Sequence, residues 1–335
     1  MIPALQDALL KWYPLHGRVD MPIRHLSGEN APYEIYISEI MSAQTQINVV
    51  LDKFYYPFLQ AFPTLKDLAQ APLEQVLILW KGLGYYARAK NLHKAAQICM
   101  DQHGGLLPQN YQALLALPGI GAYSAGAILC FGFRQAVGVV DANVSRVLLR
   151  LFGMDIASKT LNKDLQERAT AFVNVANPFD HNQALIDLGA LICTPKNPQC
   201  HLCPLHFACQ AQNDIERFSV PKKTPSIALT QHYGVCVDQG GLYLCLPPKG
   251  LYAGLYQFPL LKEQELVSLP FIGTIKHSYT KYRLQIKLYQ ARLHDLAPTN
   301  LKKIPLSQFD QIPISSMTAK IWQLCQKKSD IILKT

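Results

Sequence analysis

In Leu117-Pro118-Gly119-Ile120-Gly121, two glycines bracket a turn between apolar, helix-patterned segments, and no other stretch constrains the chain as much. Glycine accepts the backbone angles of a tight turn, and without a Cβ it lets the backbone approach a bound group closely. At the start of the next helix such a turn aims unpaired N–H groups outward, which suits a phosphate and reads no base. One helix further on, Asp141 stands immediately before Ala142-Asn143-Val144-Ser145-Arg146, in an N-cap position. Alone, the turn joins helices of any kind, and an aspartate at a helix start is a cap. Together they set a backbone grip one helix away from a fixed carboxylate, a layout suited to chemistry on a nucleotide.

The partner is narrowed by charge. With 32 basic against 23 acidic residues the chain carries +9, which favours a polyanion, nucleic acid or an anionic surface. No apolar run reaches membrane-spanning length, and Met1-Ile2-Pro3-Ala4-Leu5-Gln6-Asp7 lacks the charged head and apolar core of a signal peptide, so no membrane role and an intracellular setting are expected. The 335 residues are enough for two domains, and 49% hydrophobic content describes a folded chain.

Helical periodicity runs almost unbroken through the first two-thirds, and no strand-like alternation precedes residue 230. Pro32 opens a helix through Tyr33-Glu34-Ile35-Tyr36-Ile37-Ser38-Glu39-Ile40-Met41-Ser42-Ala43-Gln44-Thr45-Gln46. Glu39 lies among Ile37, Ile40 and Met41, so it is expected beside the buried stripe. A carboxyl desolvated there has a raised pKa and can hold a proton near neutrality. Gly82-Leu83-Gly84-Tyr85-Tyr86-Ala87-Arg88 forms a second glycine turn with aromatics and a cation; exposed it suits a wedge against DNA, buried it is ordinary core.

Of nine cysteines, four crowd into Cys193-x6-Cys200-x2-Cys203-x5-Cys209, with Pro195, Pro198 and Pro204 bending the loop. An odd total argues against a disulfide framework. Zinc sites more often pair two C-x2-C units, whereas only one is present here; a four-thiolate iron–sulfur cluster fits the spacing better, with zinc the alternative.

Residues 214–227 turn polar and Pro/Lys-rich, as a linker does, and separate domains at 1–213 and 228–335. Past them the period becomes two: Tyr282, Leu284, Ile286 and Leu288 alternate with Arg283, Gln285, Lys287 and Tyr289, and Asp238-Gln239-Gly240-Gly241 reads as a hairpin turn. A closing helix carries Met317, Ile321 and Leu324 on one face, with Ser315 or Ser316 as cap. Beyond residue 228 the only glutamates are Glu263 and Glu265, too few for a glutamate-rich magnesium site, so this small α+β domain reads as a recognition domain.

Taken together, the Leu117–Gly121 hairpin, Asp141 and the 6-2-5 cysteine spacing resemble the endonuclease III superfamily of DNA glycosylases. Ser38-Glu39-Ile40-Met41 with Gln44-Thr45-Gln46, Gly82–Tyr86, Arg88-Ala89-Lys90-Asn91-Leu92 and Asp187-Leu188-Gly189-Ala190-Leu191-Ile192-Cys193 narrow the resemblance to its MutY-type adenine branch. It covers about residues 5–225 strongly and the rest weakly. The fold implied is an all-α helix-hairpin-helix glycosylase core with an iron–sulfur loop, followed by a smaller α+β Nudix-like domain.

By that resemblance Glu39 is the acid protonating the extruded adenine at N7, and Asp141 the carboxylate steadying an oxocarbenium-like sugar, with Asn143 beside it. Tyr123 takes the place of a Schiff-base lysine, which implies base removal without efficient strand cleavage, and it orients the carboxylate. Arg24 and Gln183 contact the adenine, and Tyr85 is the wedge. Gln44, Arg88, Gly119 and Gly121 hold DNA, and Thr280 helps to read the opposite base. Cys193, Cys200, Cys203 and Cys209 ligate a [4Fe-4S] cluster. The implied partner is duplex DNA carrying adenine opposite 8-oxoguanine or guanine, met by a monomer at the nucleoid of a bacterial cytoplasm. Departures are Ala43 for a glutamine, Ile23 for a tryptophan, Ala142 for a glycine, and His277-Ser278-Tyr279-Thr280-Lys281 where Phe-Ser-His is expected. They bear on 8-oxoguanine discrimination more than on adenine chemistry. The competing readings are an oxidised-pyrimidine glycosylase with lyase activity, and a non-catalytic metal-dependent DNA-binding protein.

Overall fold

The computed structural model describes the chain except residues 213, 219–224, 267, 280, 297–299 and 329–335. Thr280 and the middle of the expected linker therefore lie outside the described residues. Two compact units emerge, Met1–Ala69 with Lys94–Lys222, and Gln70–His93 with Lys223–Thr335.

The first unit is helical, with no strand among its described residues. Its larger core gathers Leu5, Leu9 and Trp12 of the Ile2–His16 helix against Val147, Leu148 and Leu151 of Ala142–Phe152. Leu165 and Phe172 of Leu161–Phe172 join them, as do Ala184, Leu185 and Leu188. A second cluster packs Ile35 against Ala127, Cys130, Phe131 and Val139, bringing the Ala31–Ser42 helix onto the one that leaves the glycine hairpin. That hairpin joins Tyr111–Ala116 to Ala122–Ala127.

Ala122–Ala127 and Pro178–Asp187 each run on into a π-helical turn, Ile128–Gly132 and Leu188–Ile192, and each turn holds a glycine at a close crossing. A Cβ on Gly132 would stand 2.7 Å from Pro32 Cα, and one on Gly189 2.6 Å from Asn143 Cβ. Wider π turns of this kind commonly mark functional positions.

In the second unit, β1 (Ile227–Val235) pairs parallel with β6 (Tyr282–Gln290). β5 (Phe271–Tyr279) and the short β4 (Leu260–Leu261) complete a sheet of order β4-β1-β6-β5. β2 (Val237–Asp238), β3 (Gly241–Cys245) and β7 (Leu301–Pro305) form a second sheet, β2-β3-β7. Gln239 and Gly240, both at positive φ, make the expected hairpin turn between β2 and β3. On β6 the alternation buries Leu284, Ile286 and Leu288. Ser315 caps the closing Ser316–Lys327 helix by accepting from Thr318 N, and Met317, Ile321 and Cys325 enter the core. All nine cysteines are free, and among the described residues no helix is long and apolar enough to cross a membrane.

Candidate active site

The Ala31–Ser42 helix is buried nearly all round, and Glu39 is one of its few residues left partly open. Burial pushes its carboxyl up to about 7. Against this, Tyr123 at the start of the hairpin helix donates its hydroxyl to Glu39 Oε2 at 2.6 Å and favours the charged form. The negative charge of Asp141 pushes the Glu39 pKa upward again, so the two acids meet at one site. Burial, together with the facing carboxylates, raises the Tyr123 phenol well above its ordinary range and keeps it a donor.

Asp141 is the N-cap of Ala142–Phe152 and has both oxygens engaged. Val144 N donates to Oδ1 at 2.7 Å, and Asn143 Nδ2 to Oδ2 at 2.9 Å. Asn143 is fixed in turn by Arg146, whose Nη2 donates to Asn143 Oδ1 at 2.9 Å and to Gly189 O at 2.6 Å. Arg146 Nε donates to Cys193 O at 2.6 Å. One guanidinium thus links the cysteine loop to the carboxylate. Sequence reading passed over Arg146, although its place three residues after Asn143 on one helix face was a usable signal.

The hairpin has the expected backbone. Gly119 sits at φ 79°, Gly121 is exposed, and nothing lies within 4 Å of where a Gly121 Cβ would point. Gly121 is also the N-cap of the Ala122–Ala127 helix, so this open side lies at a helix start. The helix expected to reach Gln46 stops at Ser42, because Gln44 takes the left-handed region at φ 67° and cannot continue it; Gln44 is exposed just past its end. Gln183 is 7% exposed on Pro178–Asp187. Tyr85 and Arg88 belong to the second unit, where Tyr85 is 43% exposed with the Arg88 guanidinium 5.5 Å from its ring centre.

The structure gives protein partners to two of the residues named by the resemblance. Arg24 is buried, and its terminal nitrogens donate to both Asp187 oxygens at 2.7 and 2.8 Å and to Tyr13 Oη at 3.0 Å. Its guanidinium fork is committed to protein. Tyr123 donates to Glu39, and the partners found for Asp141 are backbone and Asn143. Asp187, fully buried, also accepts from Arg18 N and Arg18 Nε. Burial works against its charge, but the two arginines outweigh it and hold the carboxyl below the usual range. An acid between Ile186 and Leu188 was the sequence signal for that buried pair.

Cys193, Cys200, Cys203 and Cys209 line one pocket with Arg150, whose Nη1 lies 3.4 Å from Cys193 Sγ. Among the described residues no set of three or more His, Cys, Asp or Glu is spaced to hold a single metal ion.

Residues 37–170 match the HhH-GPD superfamily of base excision DNA repair proteins. An adenine DNA glycosylase of Buchnera aphidicola subsp. Baizongia pistaciae is 35% identical over 268 residues, which cover 78% of this chain and 75% of that protein. The human adenine DNA glycosylase is 37% identical over 77% of this chain, which spans about half of the longer human protein, 49%. Among solved structures, a thermostable thymine-DNA glycosylase superposes with a TM-score of 0.57 at 31% identity, covering 62% of this chain and 94% of that one. At such identity over most of both sequences, the chain belongs to the adenine DNA glycosylase family, within the HhH-GPD superfamily.

Proposed function

We propose that this chain hydrolyses the N-glycosidic bond of adenine mispaired with 8-oxoguanine or guanine in duplex DNA, without cutting the strand. Base-excision removal of adenine follows from its family; the identity of the opposite base is what the proposal adds. The observation that carries it is the pair of unlike acids. Glu39 is desolvated and bonded to Tyr123, while Asp141 is steadied by a backbone N–H and an amide.

The adenine must leave the stack before either acid can reach it. Tyr123 occupies Glu39 Oε2, so the other oxygen carries the proton and delivers it to N7. The C1′–N9 electron pair then leaves with the base, and Asp141 faces the positive charge left on the sugar. Its two hydrogen bonds are made beforehand, so no reorganisation is needed as that charge forms. Water completes the hydrolysis. With tyrosine at 123 no amine is offered there for a sugar adduct.

Four thiols around one hollow, with a guanidinium beside them, fit a [4Fe-4S] cluster bringing its own sulfides better than a lone ion. Cys193, Cys200, Cys203 and Cys209 would hold it, and its chemistry there is to brace the loop. We read the sheet unit as a Nudix-like reader of the opposite base; its two sheets and closing helix support this, as do the Tyr279 and Tyr282 rings, 5.2 Å apart where β5 ends and β6 begins. The protein is taken to act as a monomer at the bacterial nucleoid.

The test incubates the protein with duplexes carrying adenine opposite 8-oxoguanine, guanine, cytosine or thymine, followed by alkaline cleavage. Release from the first two, lost in Glu39→Gln and Asp141→Asn with DNA binding kept, is expected. Full activity in either variant, or strong borohydride trapping of the parent, overturns the reading.

A further inference from the structure

Within the second unit, the segment Gln70–His93 carries the other glycine turn and is fastened to the C-terminal sheets. Gly82 (φ 99°), Gly84 (φ 77°) and Tyr85 (φ 49°) all occupy the left-handed region. Glycine goes there freely; tyrosine does so only when its surroundings hold it. On one side Trp80 Nε1 donates to Gly84 O at 3.0 Å, and the Arg88 guanidinium lies over the Trp80 and Tyr85 rings.

Tyr86 faces the other way. It is 5% exposed, and its hydroxyl accepts from Gly82 N at 3.4 Å while donating to Ile314 O at 2.8 Å. Ile314 is itself pinned. It bridges to Tyr256, Tyr256 N donates to Pro313 O at 2.8 Å, and the next residue, Ser315, caps the closing helix. Lys90 Nζ donates to Ala253 O, and Lys81 meets Asp310 at 3.4 Å. The lysines anchor the flanks of the segment, and the Tyr86 hydroxyl joins the turn's own backbone to the sheet unit.

The geometry points to Tyr86 as a positioning residue: through its hydroxyl the C-terminal sheet unit sets the left-handed turn that presents Tyr85, and so governs extrusion of the adenine. This rests on the function proposed above and on Tyr85 serving in it as the wedge that the family resemblance implies. The domain that reads the opposite base thereby also sets how readily the target base leaves the stack.

The test uses the full chain and a duplex with 2-aminopurine at the adenine position opposite 8-oxoguanine, whose fluorescence reports unstacking. Tyr86→Phe removes one hydroxyl and is expected to lower extrusion roughly five-fold, the effect of one hydrogen bond of ordinary net strength. Tyr85→Ala lowers it further, and Tyr86→Phe added to Tyr85→Ala changes nothing more. Binding to a tetrahydrofuran site, which needs no base extruded, stays at the parent level in Tyr86→Phe. Parent-level extrusion in Tyr86→Phe, with Tyr85→Ala defective, overturns the inference and leaves the wedge standing. Parent-level extrusion in Tyr85→Ala overturns both. Additive losses in the double variant also overturn it, because Tyr86 would then act independently of Tyr85.

Discussion

Replacing Tyr123 by phenylalanine isolates the one hydrogen bond that tunes the proton donor. The hydroxyl lies 2.6 Å from Glu39 Oε2 and favours the carboxylate, so removing it raises a pKa already near 7. A hydrogen bond to an ionised group is worth about 1.5–3 kcal/mol, which at about 1.36 kcal/mol per unit is roughly one to two pKa units. Glu39 is only partly buried, so water replaces some of the lost bond, and a rise of about one unit is expected. The sign is fixed by the chemistry, because the reaction needs Glu39 protonated. Adenine release in the parent falls as pH rises through about 7. In the variant this falling limb moves to higher pH, and the acid plateau drops because the carboxyl is no longer steered. Single-turnover release measured from about pH 5.5 to about pH 9 separates limb from plateau. A limb that stays in place, or moves to lower pH, refutes the role given to Tyr123.

Two further variants test the frame around the site. Asp187→Asn leaves Arg24 buried without its counter-charge and is expected to cost about 3–5 kcal/mol in denaturant unfolding at neutral pH. Because the Asp187 carboxyl is held below the usual range, the difference from the parent persists to acid pH and closes only as that carboxyl protonates; a variant as stable as the parent refutes the pairing. Gly189→Ala puts a methyl 2.6 Å from Asn143 Cβ and 2.8 Å from Asn143 O. It should destabilise by about 1–3 kcal/mol and slow adenine release with little change in DNA affinity, whereas unchanged single-turnover kinetics would refute the close crossing.

Much of this was legible where local chemistry decides. The alternation at 282–288 is strand β6, Ser315 is the cap, and Asp141 caps its helix with the carboxylate set beside Glu39. What escaped depends on contacts far apart in sequence. The near-unbroken helical periodicity hides the break between Leu161–Phe172 and Pro178–Asp187, where Asn177 accepts from Asp180 N as cap. The π turns after Ala127 and Asp187 left no trace in a 3.6-residue period, and the close approaches at Gly132 and Gly189 appear only once the helices are packed. The parallel pairing of β1 with β6 joins segments some fifty residues apart, and no turn signal announces it. Arg24 could be named from its motif, but only the fold shows Asp187 taking its donors.

That buried aspartate also bears on how the chain is made. Arg18 and Arg24 wait 169 and 163 residues for their partner, and Leu5, Leu9 and Trp12 are buried largely by residues that follow Asp141. On a ribosome the Ile2–His16 helix emerges well before these partners, and it has little of its own core to settle against until the residues beyond Asp141 follow. Its apolar face is exposed to chaperones and stray contacts throughout that interval. An amino-terminal truncation that removes Arg18 and Arg24 would leave Asp187 buried without its two counter-charges.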